Sequence, residues 1–229
     1  MRSRGIRLGV ATAVVAAGCL VVAACTGPVP RAPGQPESPS PGQAVVAYYG
    51  DSYTRGTGAS SPERRWSSIV AAERGWFEFN PSVDGLGYVI NRELAGTDLV
   101  DQIVEHEPPP DVVIVTMGLN DNFAMPAQAD EIEAAIDADL EELSSELPDA
   151  RLVVVEPFWH EDTRPESVDR IIGWVDAAAD RVGADYIAGA SRWLEGHPEW
   201  MAADQIHPND DGYAEIARRM DAELEQLGL

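Results

Sequence analysis

Short apolar runs, most of them rich in β-branched residues, alternate with amphipathic segments along the chain from residue 44 onward. Continuous apolar strands that are connected by helices form a parallel sheet covered on both faces. We therefore predict an α/β fold, a three-layer α/β/α sandwich around a mostly parallel five-stranded sheet. The predicted strands are 44–49, 76–80, 111–116, 151–156 and 184–187.

Apolar residues at helical spacing predict the helices that connect these strands. A Gly/Ser loop is predicted from Arg55 to Ser61, followed by a helix from Pro62 to Arg74. Thr97 is a good N-cap, so the next helix is predicted to run from Thr97 to Val104. Further helices are predicted at 127–147, 165–182 and 210–227.

The N-terminus has the pattern of an export signal. Three arginines within the first seven residues precede an apolar stretch over 8–24. The stretch ends in Val22-Ala23-Ala24-Cys25, which resembles the lipobox of bacterial lipoproteins. The resemblance implies a signal peptide at 1–24, cleavage before Cys25 and a lipid on its sulfur. The alternatives are an ordinary secretory signal cut nearby, or cleavage at Cys19.

The segment that follows is dense in Pro, Gly and Ser over residues 25–43 and cannot pack a core. We interpret it as a linker, which leaves a domain at 44–229. This predicted domain contains no cysteine, because Cys19 and Cys25 are the only two in the chain. A cysteine nucleophile and a cysteine-based metal site are therefore excluded within it.

The charge balance is strongly acidic, with 39 acidic residues against 16 basic ones, all of them Arg. A chain of this charge would be repelled by a phosphate backbone, so we expect no nucleic-acid partner. The absence of Lys excludes a Walker phosphate loop, a Schiff-base lysine and a Ser-Lys dyad. His160-Glu161 lacks a second His at metalloprotease spacing. We predict that the chain needs no metal or cofactor.

Ser52 follows the first predicted strand on the turn Gly50-Asp51-Ser52. Such a turn exposes the hydroxyl and leaves backbone N–H groups beside it. A serine hydroxyl needs a general base to act as a nucleophile. Because sites in open α/β sheets form beyond the carboxyl ends of the strands, Ser52 is well placed. The alternative is a plain turn, since Gly-Asp-Ser alone is common.

His207 is the best candidate for that base, because Asp204 lies three residues before it and Pro208 fixes the chain after it. A short Asp-x-x-His loop can set a carboxylate against one ring nitrogen and leave the other free. The alternative interpretation is a polar loop that merely precedes the last helix.

Hydrogen-bond donors for a developing oxyanion are found on two further turns. Asn120, in Gly118-Leu119-Asn120-Asp121, follows another predicted strand and carries an amide N–H. Gly85 and Gly87 allow close approach of a backbone N–H to a bound carbonyl oxygen. All of these residues are equally compatible with ordinary turns.

Taken together in this order, the turns resemble the SGNH hydrolases, also called GDSL-type lipases and esterases. Gly50-Asp51-Ser52 resembles the first block of that family, with Tyr53 where the family name has Leu. Gly118-Leu119-Asn120-Asp121 resembles the third block, and Asp204-Gln205-Ile206-His207 resembles the fifth. The loop Gly85-Leu86-Gly87-Tyr88 resembles the second block, which is the least specific.

The resemblance implies a SGNH/flavodoxin-like fold and a catalytic triad of Ser52, Asp204 and His207. It also implies an oxyanion hole formed by the backbone N–H groups of Ser52 and Gly85 and by the side chain of Asn120. Gly87 is the alternative to Gly85. We expect a monomeric, extracytoplasmic esterase, attached to the membrane only through Cys25, that hydrolyses a small-molecule, glycan or lipid ester.

Two rival functions remain open at this stage. An acyltransferase would use the same Ser52 chemistry on a glycan acceptor, and a binding lipoprotein would retain the fold without activity. Four aromatic side chains have two interpretations, since they either line a sugar-stacking or acyl-binding surface or pack in the core. They are Phe158, Trp159, Trp193 and Trp200.

Overall fold

The computed structural model describes residues 38–229. Its five strands are β1 Val45–Tyr49, β2 Phe77–Phe79, β3 Val112–Val115, β4 Arg151–Val155 and β5 Asp185–Ile187. They form one sheet in the order β2-β1-β3-β4-β5, and all neighbouring strands are parallel. The predicted α/β fold is therefore confirmed.

The predicted signal peptide, Cys19 and the predicted lipidation at Cys25 lie outside the described residues. The same holds for the predicted linker as far as residue 37. Within residues 38–229, no helix combines the length and the apolar character that a membrane crossing requires.

The helices cover both faces of the sheet. On one face, Tyr48 and Ile114 pack with α2 and α6, and on the other, Tyr49 and Val115 pack with α3, α4 and α5. Alternate residues of each strand thus enter opposite cores, which explains why the central strands are apolar throughout. The helices are α1 Ser52–Arg55, α2 Trp66–Arg74, α3 Leu99–Val104, α4 Ala129–Glu146, α5 Glu166–Val182 and α6 Asp210–Gln226.

Short 3-10 turns lie in the connecting loops. They are Pro62–Arg64, Arg92–Ala95, Asn120–Ala124, Ala190–Arg192 and Pro198–Trp200.

The prediction of one continuous helix from Pro62 to Arg74 was wrong, because the helical conformation is interrupted at Arg65. Arg65 has an extended backbone (φ −72°, ψ 147°) and separates a 3-10 turn from α2. Its side chain is buried, with Nη2 3.0 Å from Glu78 Oε1 and Nε donating to Ser68 Oγ at 2.8 Å. A charged side chain that points into the core cannot be recognised from helical spacing.

The start of α3 and the position of Arg55 also differ from the prediction. Asp98 rather than Thr97 caps α3, because the Asp98 side chain accepts the N–H of Val100 at 2.9 Å. Asp binds the free N–H groups of a helix start at least as well as Thr does. Arg55 was predicted in a loop but is the last residue of α1, a single turn that begins at Ser52.

We predict that Arg65→Ala destabilises the fold by about 3 kcal/mol, because it leaves the Glu78 carboxylate buried without its cation. Burial raises the pKa of Glu78, but Arg65 and the hydroxyls of Ser68 and Ser67 outweigh it and bring the pKa below its usual value. Glu78 is therefore ionised at neutral pH. Urea unfolding measures the change.

Arg181→Ala is the control, because Arg181 pairs with Asp137 on the surface, where both side chains are well exposed. Exposed ion pairs contribute roughly 0–1 kcal/mol. Equal losses in the two variants would contradict the importance of the Arg65–Glu78 pair.

Candidate active site

The predicted site residues meet at the carboxyl edge of the sheet. Ser52 begins α1 just after β1, and Asn120 lies in the 3-10 turn after β3. Strands β1 and β3 are parallel neighbours, with Tyr49 paired to Val115, so their following loops lie side by side. The loop that contains Gly85 follows β2, the other neighbour of β1. His207 lies in the loop just before α6.

Ser52, His207 and Asp204 form a continuous hydrogen-bonded chain. His207 Nε2 lies 2.9 Å from Ser52 Oγ, although the two residues are 155 positions apart. His207 Nδ1 lies 2.7 Å from Asp204 Oδ2. Ser52 is only 5% exposed, so little of it is open to solvent.

Asp204 is held as an anion. Burial raises its pKa, but hydrogen bonds from the ring and backbone of His207 and from the backbone of Ile206 bring it down to about 2. Its Oδ1 accepts the Ile206 N–H at 2.9 Å and the His207 N–H at 3.0 Å. The carboxylate therefore shapes the loop and orients the imidazole with its Nδ1 protonated.

The loop that bears His207 is fixed to the rest of the domain. The Tyr53 hydroxyl donates to the carbonyl oxygen of Ile206 at 2.5 Å, and Tyr53 itself stacks on Phe158 with ring centroids 5.6 Å apart. Ala202 N–H donates to the carbonyl oxygen of His207 at 2.7 Å. Tyr53 follows Ser52 in the chain and Ile206 precedes His207, so the hydrogen bond between them holds the two loops together and fixes the position of the imidazole.

Asp51 is a buried carboxyl group beside the serine. Its Oδ1 accepts the Tyr53 N–H at 2.9 Å and so caps α1. Its Oδ2 is 3.3 Å from Nδ2 of Asn120. Burial raises the pKa of Asp51 to about 7, the Tyr53 N–H opposes this, and the nearby carboxylates of Asp121 and Asp84 add to it.

The two candidate glycines differ in what their backbone N–H groups do. Gly87 donates its N–H to the carbonyl oxygen of Ile90 at 2.9 Å, so that N–H is committed within the loop. No acceptor in residues 38–229 takes the N–H of Gly85. Gly85 has φ +74°, a conformation that favours glycine. Asn120 Nδ2 donates to the carbonyl oxygen of Leu86 at 2.8 Å, which brings its amide against this loop.

A model of the GDSL-like lipase/acylhydrolase family matches residues 48–215 of the chain, a range that contains Ser52, Gly85, Asn120, Asp204 and His207. The chain belongs to this GDSL-like lipase/acylhydrolase family. The resemblance drawn from the sequence blocks is thereby confirmed at the level of the family.

Known proteins support the same family assignment for this GDSL-like domain. The GDSL lipase Rv0518 of Mycobacterium tuberculosis (strain ATCC 25618 / H37Rv) is 29% identical over 183 residues, which cover 76% of this chain and 79% of the relative.

Solved structures share the fold. The psychrotrophic esterase EstA from Pseudoalteromonas sp. superposes with a TM-score of 0.64 at 15% identity and covers 81% of this chain and 98% of its own. TesA superposes with a TM-score of 0.65 at 18% identity and covers 80% of this chain and 99% of its own.

The aromatic residues singled out from the sequence do not form a surface in this GDSL-like domain. Phe158, Trp159 and Trp193 are buried in the core, at 1%, 4% and 7% exposed. Trp200 is partly buried and stacks on His197 with ring centroids 3.6 Å apart. Core packing therefore accounts for three of the four.

Sequence reasoning assigned no role to Asp51, Tyr53 or Asp121, although all three contact the loops of the site. The role of Asp51 could have been predicted from the sequence, because Asp is a common N-cap residue directly before a helix. The partners of Tyr53 and Asp121 lie far along the chain, so no local pattern indicates them. In residues 38–229, no three His, Cys, Asp or Glu side chains converge in a way that could hold a metal ion.

We predict that the Asp51 carboxyl group makes stability fall as the pH rises. Its ordinary pKa is 3.8 and its pKa in the fold is about 7, so between these values the folded chain binds a proton that the unfolded chain has lost. The free energy of unfolding, taken relative to Asp51→Asn, should fall by roughly 2 kcal/mol between about pH 5 and pH 8.

Asn cannot titrate but keeps an oxygen that can cap α1, so the comparison isolates the carboxyl group. Urea unfolding of both proteins at each pH provides the measurement. A difference that is the same at both pH values would show that Asp51 is already ionised at pH 5.

Proposed function

We propose that the protein is an extracytoplasmic serine ester hydrolase that works through an acyl-enzyme on Ser52. The observation that carries the proposal is the hydrogen-bonded chain Ser52–His207–Asp204, with contacts of 2.9 and 2.7 Å. Membership of the GDSL-like lipase/acylhydrolase family supports it independently. A nucleophile, a base and an oriented carboxylate in this geometry suit acyl transfer.

In the proposed first step, His207 Nε2 takes the proton of Ser52 Oγ as the oxygen attacks the ester carbonyl carbon. The Asp204 carboxylate holds the Nδ1–H and stabilises the imidazolium. His207 then gives its proton to the leaving alcohol, and an acyl-enzyme remains. A water molecule gives a proton to His207 as it attacks the acyl carbonyl carbon, and His207 returns the proton to Ser52 Oγ as the carboxylic acid leaves.

Three donors are proposed to stabilise the oxyanion of each tetrahedral intermediate: the N–H groups of Ser52 and Gly85 and the Asn120 amide. One Asn120 hydrogen is engaged by Leu86, while the longer 3.3 Å contact to Asp51 can be released to the oxyanion. Preorganised donors of this type lower the barrier by several kcal/mol.

Two exposed apolar side chains favour an ester that has an apolar portion. Phe123 is 66% exposed and Ile206 is 45% exposed, and they are the large hydrophobic residues that the described part of the chain leaves open to solvent. Phe123 shares a 3-10 turn with Asn120, and Ile206 precedes His207. The loops of the site, rather than a remote surface, thus carry the exposed apolar area.

We propose export and a lipid anchor on the basis of the N-terminal sequence. The arginines of the first seven residues, the apolar stretch and Cys25 after Ala23-Ala24 all support it. A tethered domain would act on esters near a membrane surface. We further propose a monomer, with no nucleic-acid partner, because the formal net charge is −23.

We predict that Ser52→Ala and His207→Ala abolish hydrolysis of p-nitrophenyl esters, a loss of roughly a million-fold, while Asp204→Ala leaves a trace after a loss of roughly ten-thousand-fold. A fluorophosphonate probe should label the wild type at Ser52 and fail to label Ser52→Ala.

Ser145→Ala and His197→Ala are the matched controls and should keep full activity, since Ser145 lies on the surface of α4 and the His197 ring contacts Glu199 and Trp200 rather than Ser52, Asp204 or His207. Full activity in Ser52→Ala would refute the assignment, and a wild type that the probe does not label would favour a binding protein. Transfer of the acyl group to an added glycan in preference to water would identify an acyltransferase.

We predict that Phe123→Ser lowers kcat/KM for p-nitrophenyl octanoate relative to p-nitrophenyl acetate by roughly tenfold, since an apolar contact with a long acyl chain is lost. The ratio of the two esters, measured in each protein, corrects for any general effect. An unchanged ratio would show that Phe123 does not contact the acyl chain.

We predict that Cys25→Ser, expressed as the full chain in a bacterium that lipidates its exported proteins, moves the protein from the membrane fraction to the soluble exported fraction. Loss of the lipid removes the main source of membrane affinity. Cys19→Ser is the matched control and should stay with the membrane. The opposite result would place the lipid on Cys19.

A further inference from the structure

Asp121 is a buried carboxylate without a counter-ion among its hydrogen-bond partners. It is 0% exposed, and three consecutive backbone N–H groups of another loop donate to it. Oδ2 accepts from Tyr88 at 2.8 Å, while Oδ1 accepts from Val89 at 2.9 Å and from Ile90 at 3.4 Å. Burying a carboxylate costs free energy of folding, so a carboxylate at this position calls for an explanation.

The loop it binds is the one that carries Gly85. The carbonyl oxygen of Leu86, the next residue, accepts the Asn120 amide at 2.8 Å. Asn120 and Asp121 are adjacent in the chain, and they hydrogen-bond to the residues on either side of Gly87, which are Leu86 and Tyr88. Together they fix the separation between the Asn120 amide and the Gly85 N–H.

Gly87 shows how close this contact is. A Cβ atom added at Gly87 would lie 2.5 Å from Oδ2 and 2.6 Å from Cγ of Asp121. The loop thus approaches the carboxylate more closely than any residue with a side chain allows. The glycine at this position serves the contact with Asp121, since its own N–H is bound to Ile90.

We propose that Asp121 is a positioning residue, which sets the oxyanion hole by holding the loop of residues 85–90 against the turn that carries Asn120. The proposal rests on the function proposed above. Asp121 touches no reacting atom and acts through the Gly85 N–H. A charged acceptor suits this task, because hydrogen bonds to a carboxylate are shorter and stronger than those to a neutral oxygen.

The test is Asp121→Asn, which keeps the shape but turns one acceptor oxygen into a donor that faces a backbone N–H. We expect kcat for a p-nitrophenyl ester to fall at least tenfold while KM changes by less than about threefold. The oxyanion exists only in the transition state and the intermediates, so misplaced donors lower kcat and leave substrate binding intact.

Glu156→Gln is the matched control. Glu156 is also a buried carboxylate beyond a strand end, and it also accepts backbone N–H groups, from Gly189 at 2.7 Å and Ser191 at 3.2 Å. Its loop carries no proposed donor, so this variant should lose thermal stability but keep kcat. A similar loss of kcat in both variants would reduce Asp121 to a structural role and overturn the proposal.

If Asp121→Asn does not fold, Gly87→Ala provides the second variant, because its methyl group displaces the carboxylate without removing it. It should show the same selective fall in kcat, and a wild-type kcat in folded Gly87→Ala would overturn the proposal. These outcomes are distinct from failure of the proposed function, in which the wild type itself lacks esterase activity or Ser52→Ala retains it.

Discussion

The contact between His207 Nε2 and Ser52 Oγ is the interaction on which the site depends. It joins a residue that follows the interior strand β1 to a residue that precedes the last helix, 155 positions later. Neither loop can hold this distance alone. The hydroxyl of Tyr53, which donates to the carbonyl oxygen of Ile206 at 2.5 Å, links the two loops through the chain neighbours of Ser52 and His207. Most of the architecture around the site serves to keep these two atoms together.

Buried carboxylates are the recurrent means by which the loops are held. Asp51 caps the turn that begins with Ser52, Asp121 binds the loop of Gly85, and Glu156 binds the loop after β5. In each case the acceptors face backbone N–H groups rather than only a cation. Some of the many acidic side chains of this sequence are therefore buried in the fold, where backbone N–H groups replace water as their hydrogen-bond donors.

The fold and the location of the site could be predicted because they follow from local patterns. Continuous apolar runs predicted the strands, and the rule for parallel sheets placed Ser52 and Asn120 on one edge. The network around them could not be predicted, since its contacts are distant in sequence: Asp121 binds residues 31–33 positions earlier. The helix interruption at Arg65 was missed for a related reason, because only the fold shows that this arginine side chain is buried beside Glu78.

The position of the base late in the chain has a consequence for biosynthesis. A partly synthesised chain holds the serine, its turn and the first strands, but it does not yet contain His207, the proposed base. On the proposed mechanism, such a chain is inactive, and it gains activity by completing its fold, with no cleavage needed inside the domain. Hydrolysis would then begin only after the C-terminal part of the domain has folded against the first strands.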